Sequence, residues 1–185
     1  MRLAALLLFG LALPAVADVV VPVCHGYGCI VQDEIRYNEA QLTQLTRQLA
    51  AAVNPENERK LLAEAIGQLY AWGGEQSDIR NDRGGNFADS GIPGRMDCID
   101  HSTSTTRLLE LMAARGALRW HRVLTPDVRH FLWIFPAHWS AVIEEVAAAD
   151  DVPRHYVVDS WFVNNGEPAV ILPLADWKKG AGPDV

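Results

Sequence analysis

A cysteine at 98, a histidine at 138 and an aspartate at 159 are the side-chain types that thiol-nucleophile chemistry requires. A thiolate forms near neutral pH when an imidazole sits beside the sulfur, and a third polar group must orient that imidazole through its other ring nitrogen. Such a trio attacks a carbonyl carbon, forms a thioester and hands the acyl group to water or to an amine. A thiol at the start of a helix gains further, because the dipole and the free N–H groups there favour an anion. Cys98 stands where a helical pattern begins, with Asp97 as its candidate cap; His138 opens one β-rich run and Asp159 lies near the end of the next.

Two acidic neighbours oppose that activation. Asp97 and Asp100 flank the thiol, and nearby carboxylates disfavour a thiolate. The expectation is that the helix N-terminus and a protonated His138 outweigh them, or that both carboxylates turn away to cap the helix and hold the adjoining loop. The same residues admit other readings. Cys98 can be a buried inert thiol. His101, three residues on and on the same helix face, is an alternative base, but it leaves Asp159 and the histidine run unexplained. A zinc site lacks any C-x2-C or H-x3-H ligand pair. Trp139, Trp161, His121 and His130 are read first as packing residues. No G-x-S-x-G or phosphate-binding glycine motif is present.

The elements that must position the trio follow from periodicity. Ile35, Leu42, Leu45, Leu49 and Val53 recur at helical spacing. Asn54-Pro55-Glu56 reads as a stop followed by a new start, with Asn as cap and Pro in the first turn. Leu61, Leu62, Ala65, Ile66 and Leu69 give this second helix its apolar face, and it should end near Trp72-Gly73-Gly74. Residues 75–97 are polar and rich in Gly, Asn and Asp; a loop of that length inside a compact domain is usually functional or disordered. A third helix should run from Cys98 to Arg115 and stop at Gly116. Its first half, Asp100-His101-Ser102-Thr103-Ser104-Thr105-Thr106, is poor helix material, and such local conflict is where function is expected.

Strands are expected over 118–124, 131–135, 138–146, 155–162 and 169–172, with Gly166 turning the chain before the last. Placing Asp159 opposite His138 centres a hairpin turn between Ala148 and Ala149, close to the polar break at 147–151. His138, Ser140 and Val142 would then share a face with Val157 and Asp159. Helices first and strands after point to an α+β fold with an antiparallel sheet.

The chain has 185 residues, enough for one sizeable core. A net charge of −7 without any Lys/Arg-rich run argues against a nucleic-acid partner. Arg2, the apolar run 3–13 and Ala15-Val16-Ala17 read as a cleaved secretory signal over 1–17, with residues 18–185 forming a single domain and no later apolar run long enough to span a membrane. Export places Cys24 and Cys29 in an oxidising compartment, where the glycine-containing loop between them lets them close a disulfide that pins the 18–33 segment. Cys98 is then the unpaired thiol, either reactive or bridged to another molecule.

Three motifs together resemble transglutaminase-like cysteine peptidases of the papain-like superfamily. Asp97-Cys98-Ile99-Asp100 is similar to their D-C-x-D nucleophile motif, 138–142 to their histidine strand, and 156–161 to their aspartate strand, in the same chain order. The resemblance covers about residues 72–177. It implies a papain/transglutaminase-like α+β core with the nucleophile helix packed on an antiparallel sheet. It further implies a thioester intermediate, no cofactor, and a peptide or protein amide as substrate, in an exported bacterial member located in the periplasm or secreted. His101 has no counterpart among the family's catalytic residues, and the oxyanion donor has no clear match. A side-chain donor would come from the long loop, with Trp72, Gln76 and Asn86 as candidates, beside the Cys98 backbone N–H. The competing function is a binding or envelope-assembly module that keeps a degenerate peptidase fold.

Overall fold

The computed structural model describes residues 17–130, 137–146 and 152–184. The expected leader up to residue 16, the β-rich run at 131–135 and the polar break at 147–151 lie outside the described residues. The described part is mixed α and β, with antiparallel sheets.

The chain begins with an antiparallel hairpin, β1 (Val19–His25) and β2 (Val31–Tyr37), not with a helix. Ile35 therefore belongs to a strand. With Tyr37 it forms a period-two pair, both fully buried, and the helical spacing to Leu42 is coincidental. Helix α1 (Glu39–Ala50) starts at Asn38, whose side chain and that of Gln41 form a reciprocal capping box. Its apolar face is Leu42, Leu45 and Leu49, all fully buried; each contributes about 1.5–3 kcal/mol relative to exposure.

Helix α2 (Pro55–Gly74) starts as expected, with Asn54 accepting from the Asn57 N–H and Pro55 in the first turn. A short 3-10 turn at Asp78–Asn81 interrupts the long loop that follows. Gly94 is one fixed point of that loop: its φ is +81°, and a Cβ there would lie 1.8 Å from the Asp78 carbonyl oxygen.

Helix α3 (Cys98–Ala114) is capped by Asp97, with Asp100 completing a capping box, and Gly116 ends it at φ +67°. Its unpromising first half is held by tertiary hydrogen bonds. Ser104 accepts from the Cys24 N–H at 2.8 Å, Thr105 lies 2.8 Å from the Ser160 hydroxyl, and Asp100 binds the disulfide loop.

The second sheet has the order β3 (His121–Arg129), β4 (His138–Glu145), β5 (Arg154–Asp159), β6 (Val170–Pro173), all antiparallel, with a register shift in β3 between Leu124 and Asp127. One face, with Ala141, Ile143 and Val158, packs into the main core with α2 and α3. The other carries Val142 and Val157 beneath an aromatic layer of Trp161, Phe162 and Trp177, the last on a short helix α4 (Leu174–Trp177).

Candidate active site

Cys98, His138 and Asp159 are brought to one region by α3, the start of β4 and the end of β5. The β4–β5 register places Ala141 opposite Val158. Continued, it sets Asp159 opposite Ser140, two residues away from the expected pairing with His138. A two-residue slip keeps every side chain on its face, and a diagonal cross-strand pair remains within reach of a long side chain. His138 Nε2 accordingly lies 2.8 Å from Asp159 Oδ2. A carboxylate oxygen accepts, so Nε2 carries a proton and donates it to Asp159.

Asp159 is buried and well supplied with donors. Oδ2 also accepts from the Trp177 indole N–H at 2.9 Å, and Oδ1 from the Trp161 backbone N–H at 3.3 Å. The imidazole is boxed by aromatic rings, with centroids 4.8 Å away at Trp161, 5.5 Å at Phe162 and 5.6 Å at Trp177. Arg129 braces this box: its Nη1 donates to the Trp177 and Ala181 carbonyls at 2.9 Å each, and its guanidinium lies over the Trp177 ring. Burial pulls the Arg129 pKa down, opposed by the charge of Asp159. Sequence reasoning missed Trp177 and Arg129, since neither sits in a motif. Replacing Trp177 by Phe leaves the buried carboxylate one donor short and should destabilise the fold by about 1–3 kcal/mol, measured by urea denaturation.

Cys98 occupies the first turn of α3, half-buried, and its Sγ lies 3.6 Å from the Ala137 carbonyl oxygen, immediately before His138. The expected balance of charges falls the other way. Burial pushes the Cys98 thiol above the usual thiol range, and Asp97 and Asp159 push it further; backbone hydrogen bonds from Trp139 and from Cys98 itself oppose this without reversing it. Burial and the neighbouring carboxylates thus favour the thiol form, and the sulfur's hydrogen bond runs to the Ala137 carbonyl.

Both carboxylates flanking the thiol turn to the disulfide loop. Cys24 and Cys29 are bonded to each other. Asp100 accepts from the N–H groups of Tyr27 and Cys29, and Asp97 from that of Gly28. Ligand atoms of Cys24, Cys29 and Asp100 lie within 4.8 Å of one another, but two sulfurs bonded together present no thiolate pair to a cation.

His101 points inward and both its nitrogens are engaged: Nε2 lies 3.0 Å from Asp82 Oδ2 and Nδ1 lies 2.8 Å from Ser160 Oγ. It therefore ties α3 to the residue after Asp159 and does not face Cys98. The loop candidates separate as well. Gln76 pins β2 to α2, its amide exchanging hydrogen bonds with the Arg36 backbone, and Trp72 packs at the edge of the main core. Asn86 does line the site, but its amide N–H donates to Asp89 at 2.7 Å and its Oδ1 is buried without a hydrogen-bond partner. An amide oxygen only accepts and the amide N–H is taken by Asp89, so this side chain offers no donor to an oxyanion. Trp139 is 37% exposed at the rim, whereas Trp161 lines the cleft and meets Phe87 edge-on at 4.8 Å.

The cleft that joins these groups has a volume of about 690 Å³ and is lined by Cys98, His138, Trp161, Phe87, Tyr27 and Arg129 among others, so a peptide-sized side chain fits. Comparison with protein-family models, with curated proteins and with solved structures finds no match to this chain. No helix among the described residues is long and apolar enough to cross a membrane.

Proposed function

We propose that this protein is an exported, periplasmic or secreted thiol enzyme of the transglutaminase-like peptidase kind, acting on amide bonds of peptides or proteins through a thioester. The observation that carries the reading is the His138–Asp159 pair, held at 2.8 Å in the wall of an aromatic cleft whose other wall holds the only unpaired cysteine. In the proposed reaction His138 Nδ1 takes the Cys98 proton as the sulfur attacks the carbonyl, and Asp159 holds the imidazolium that forms. The backbone N–H of Cys98 is the proposed donor to the tetrahedral oxyanion. Proton return from His138 expels the amine; water then resolves the thioester, or a second amine does so in a transamidation. The α+β architecture, with the nucleophile helix against an antiparallel sheet, supports a papain-like core.

The test is Cys98→Ala assayed on a p-nitrophenyl acyl ester and on a quenched peptide library. Turnover should vanish while the far-UV circular dichroism stays unchanged. Full turnover in the variant would refute the reading. The raised thiol pKa and the thiol contact with the Ala137 carbonyl also suit a binding module with an idle cysteine. That second reading predicts no turnover in the wild type and no ester-derived acyl group on Cys98 by mass spectrometry.

A further inference from the structure

The disulfide loop does more than pin the N-terminus. Residues 26–29 all adopt positive φ, at 80°, 70°, 70° and 58°, and two of them, Tyr27 and Cys29, are not glycine. Such residues take up the left-handed conformation only against a steric penalty, so something must hold them there. One restraint is the Cys24–Cys29 bond. The other is a row of backbone N–H groups aimed at the carboxylates beside the nucleophile: Tyr27 to Asp100 at 2.8 Å, Cys29 to Asp100 at 2.6 Å and Gly28 to Asp97 at 2.9 Å. The Tyr27 side chain continues into the cleft wall, its hydroxyl donating to Asp89 at 2.6 Å. Successive N–H groups of this kind form an anion-binding concavity, and here the anions are the two carboxylates that flank Cys98, of which Asp97 opposes its ionisation.

We propose that the Cys24–Cys29 disulfide is a redox-sensitive clamp on Cys98: closed, it offsets the charge of Asp97 and Asp100 and completes the cleft wall; open, it withdraws both. This rests on the reading of Cys98 as a nucleophile and concerns the regulation of that same site. The chemistry is thiol–disulfide exchange: two reducing thiols convert the bond to two cysteine thiols and leave as one disulfide, and a small-molecule or protein disulfide drives the reverse. Cys24 stays anchored after reduction, because it is buried in β1 and its N–H donates to Ser104. The change is therefore confined to the loop. The enzyme would be quiet in a reducing cytoplasm and switched on after export.

The experiment follows the pH dependence of Cys98 carbamidomethylation by iodoacetamide, read by peptide mass mapping, in oxidised, reduced and Cys24→Ser/Cys29→Ser protein. Opening the clamp should raise the midpoint by roughly 0.5–1 pH unit. Asp97→Asn, which keeps a capping oxygen, should lower the midpoint roughly twice as much with the loop open as with it closed, since only the open loop leaves that charge without its donor. Equal midpoints in the three proteins, with equal Asp97→Asn shifts, would overturn the clamp. If the double variant does not fold, reducing and reoxidising the wild type, with circular dichroism as a check, gives the same comparison. The readout is the thiol's own reactivity. Shifted midpoints without any amide turnover would uphold the clamp and defeat the peptidase reading; turnover with unshifted midpoints would do the opposite.

Discussion

Replacing His138 by Ala is expected to lower acylation of Cys98 by a p-nitrophenyl ester roughly 10³–10⁴-fold at pH 7. The size follows from the resting state of the sulfur. Burial first, then the charges of Asp97 and Asp159, keep Cys98 protonated, so little thiolate exists to attack unaided. In the proposed mechanism all the proton transfer falls on His138, whose Nε2 is committed to Asp159. Added imidazole should restore part of the lost rate, because the aromatic box leaves a ring-shaped space when the side chain is truncated. Asp159→Asn should fall in the same direction. Asp159 Oδ2 accepts from both His138 and Trp177 and Oδ1 from the Trp161 N–H, so an amide in its place must turn its donor either toward the first two or toward the Trp161 N–H. Stopped-flow release of p-nitrophenol measures both variants, and a loss below tenfold in His138→Ala would show that the imidazole is not the base.

Glu58→Gln should destabilise the fold by about 2–4 kcal/mol, a drop in Tm of roughly 5–15 °C. Glu58 is fully buried on α2. It accepts from the Arg119 N–H at 2.7 Å, the Trp120 N–H at 3.1 Å and His121 Nδ1 at 2.7 Å. His121 Nε2 is met in turn by Arg59, which pairs with Glu145 at 2.9 Å. A glutamine keeps one accepting oxygen and turns its amide donors toward groups that donate. Burial alone would raise the Glu58 pKa, but the hydrogen bonds from His121, Arg119 and Trp120 and the charge of His121 hold it below the ordinary carboxylate value. A depressed carboxylate stabilises the fold above its unfolded pKa of about 4.3, and that contribution is lost as pH falls through the lower folded value. The gap between wild type and variant in urea denaturation should therefore be full at pH 7 and shrink on acidification below pH ~4.

Features coded by a few adjacent residues were readable in the sequence. Asn54-Pro55 starts α2, Asp97 caps α3, Gly116 ends it, and Gly166 turns the chain at φ +89° before β6. Each is a local steric or hydrogen-bond requirement that only a few residue types meet. The opening hairpin was not readable, because Ile35 satisfies a helical period toward Leu42 as well as a strand period toward Tyr37, and only the buried sheet decides. The β4–β5 register was right in face and off by two residues in position, since alternation fixes parity but not offset. In the site, residue types and order picked out the His138–Asp159 pair. Its support was hidden: Trp177, Arg129, and the choice of Asp82 and Ser160 as partners of His101 depend on long-range packing that leaves no spacing signal.

The β3–β6 sheet carries separate cores on its two faces, one holding the helices and the other the aromatic layer around His138. Burial divides the chain's tolerance to change. Substitutions at Ala141, Ile143 or Val158 should be read by the cell as abundance, through unfolding and proteolysis. Substitutions at Trp161 or Phe162, buried in the second core, should be read the same way, whereas Phe87, exposed at the cleft, should vary in a protein still made in normal amounts. A lineage or a mutant library can therefore vary the exposed edge of the cleft while both cores stay intact.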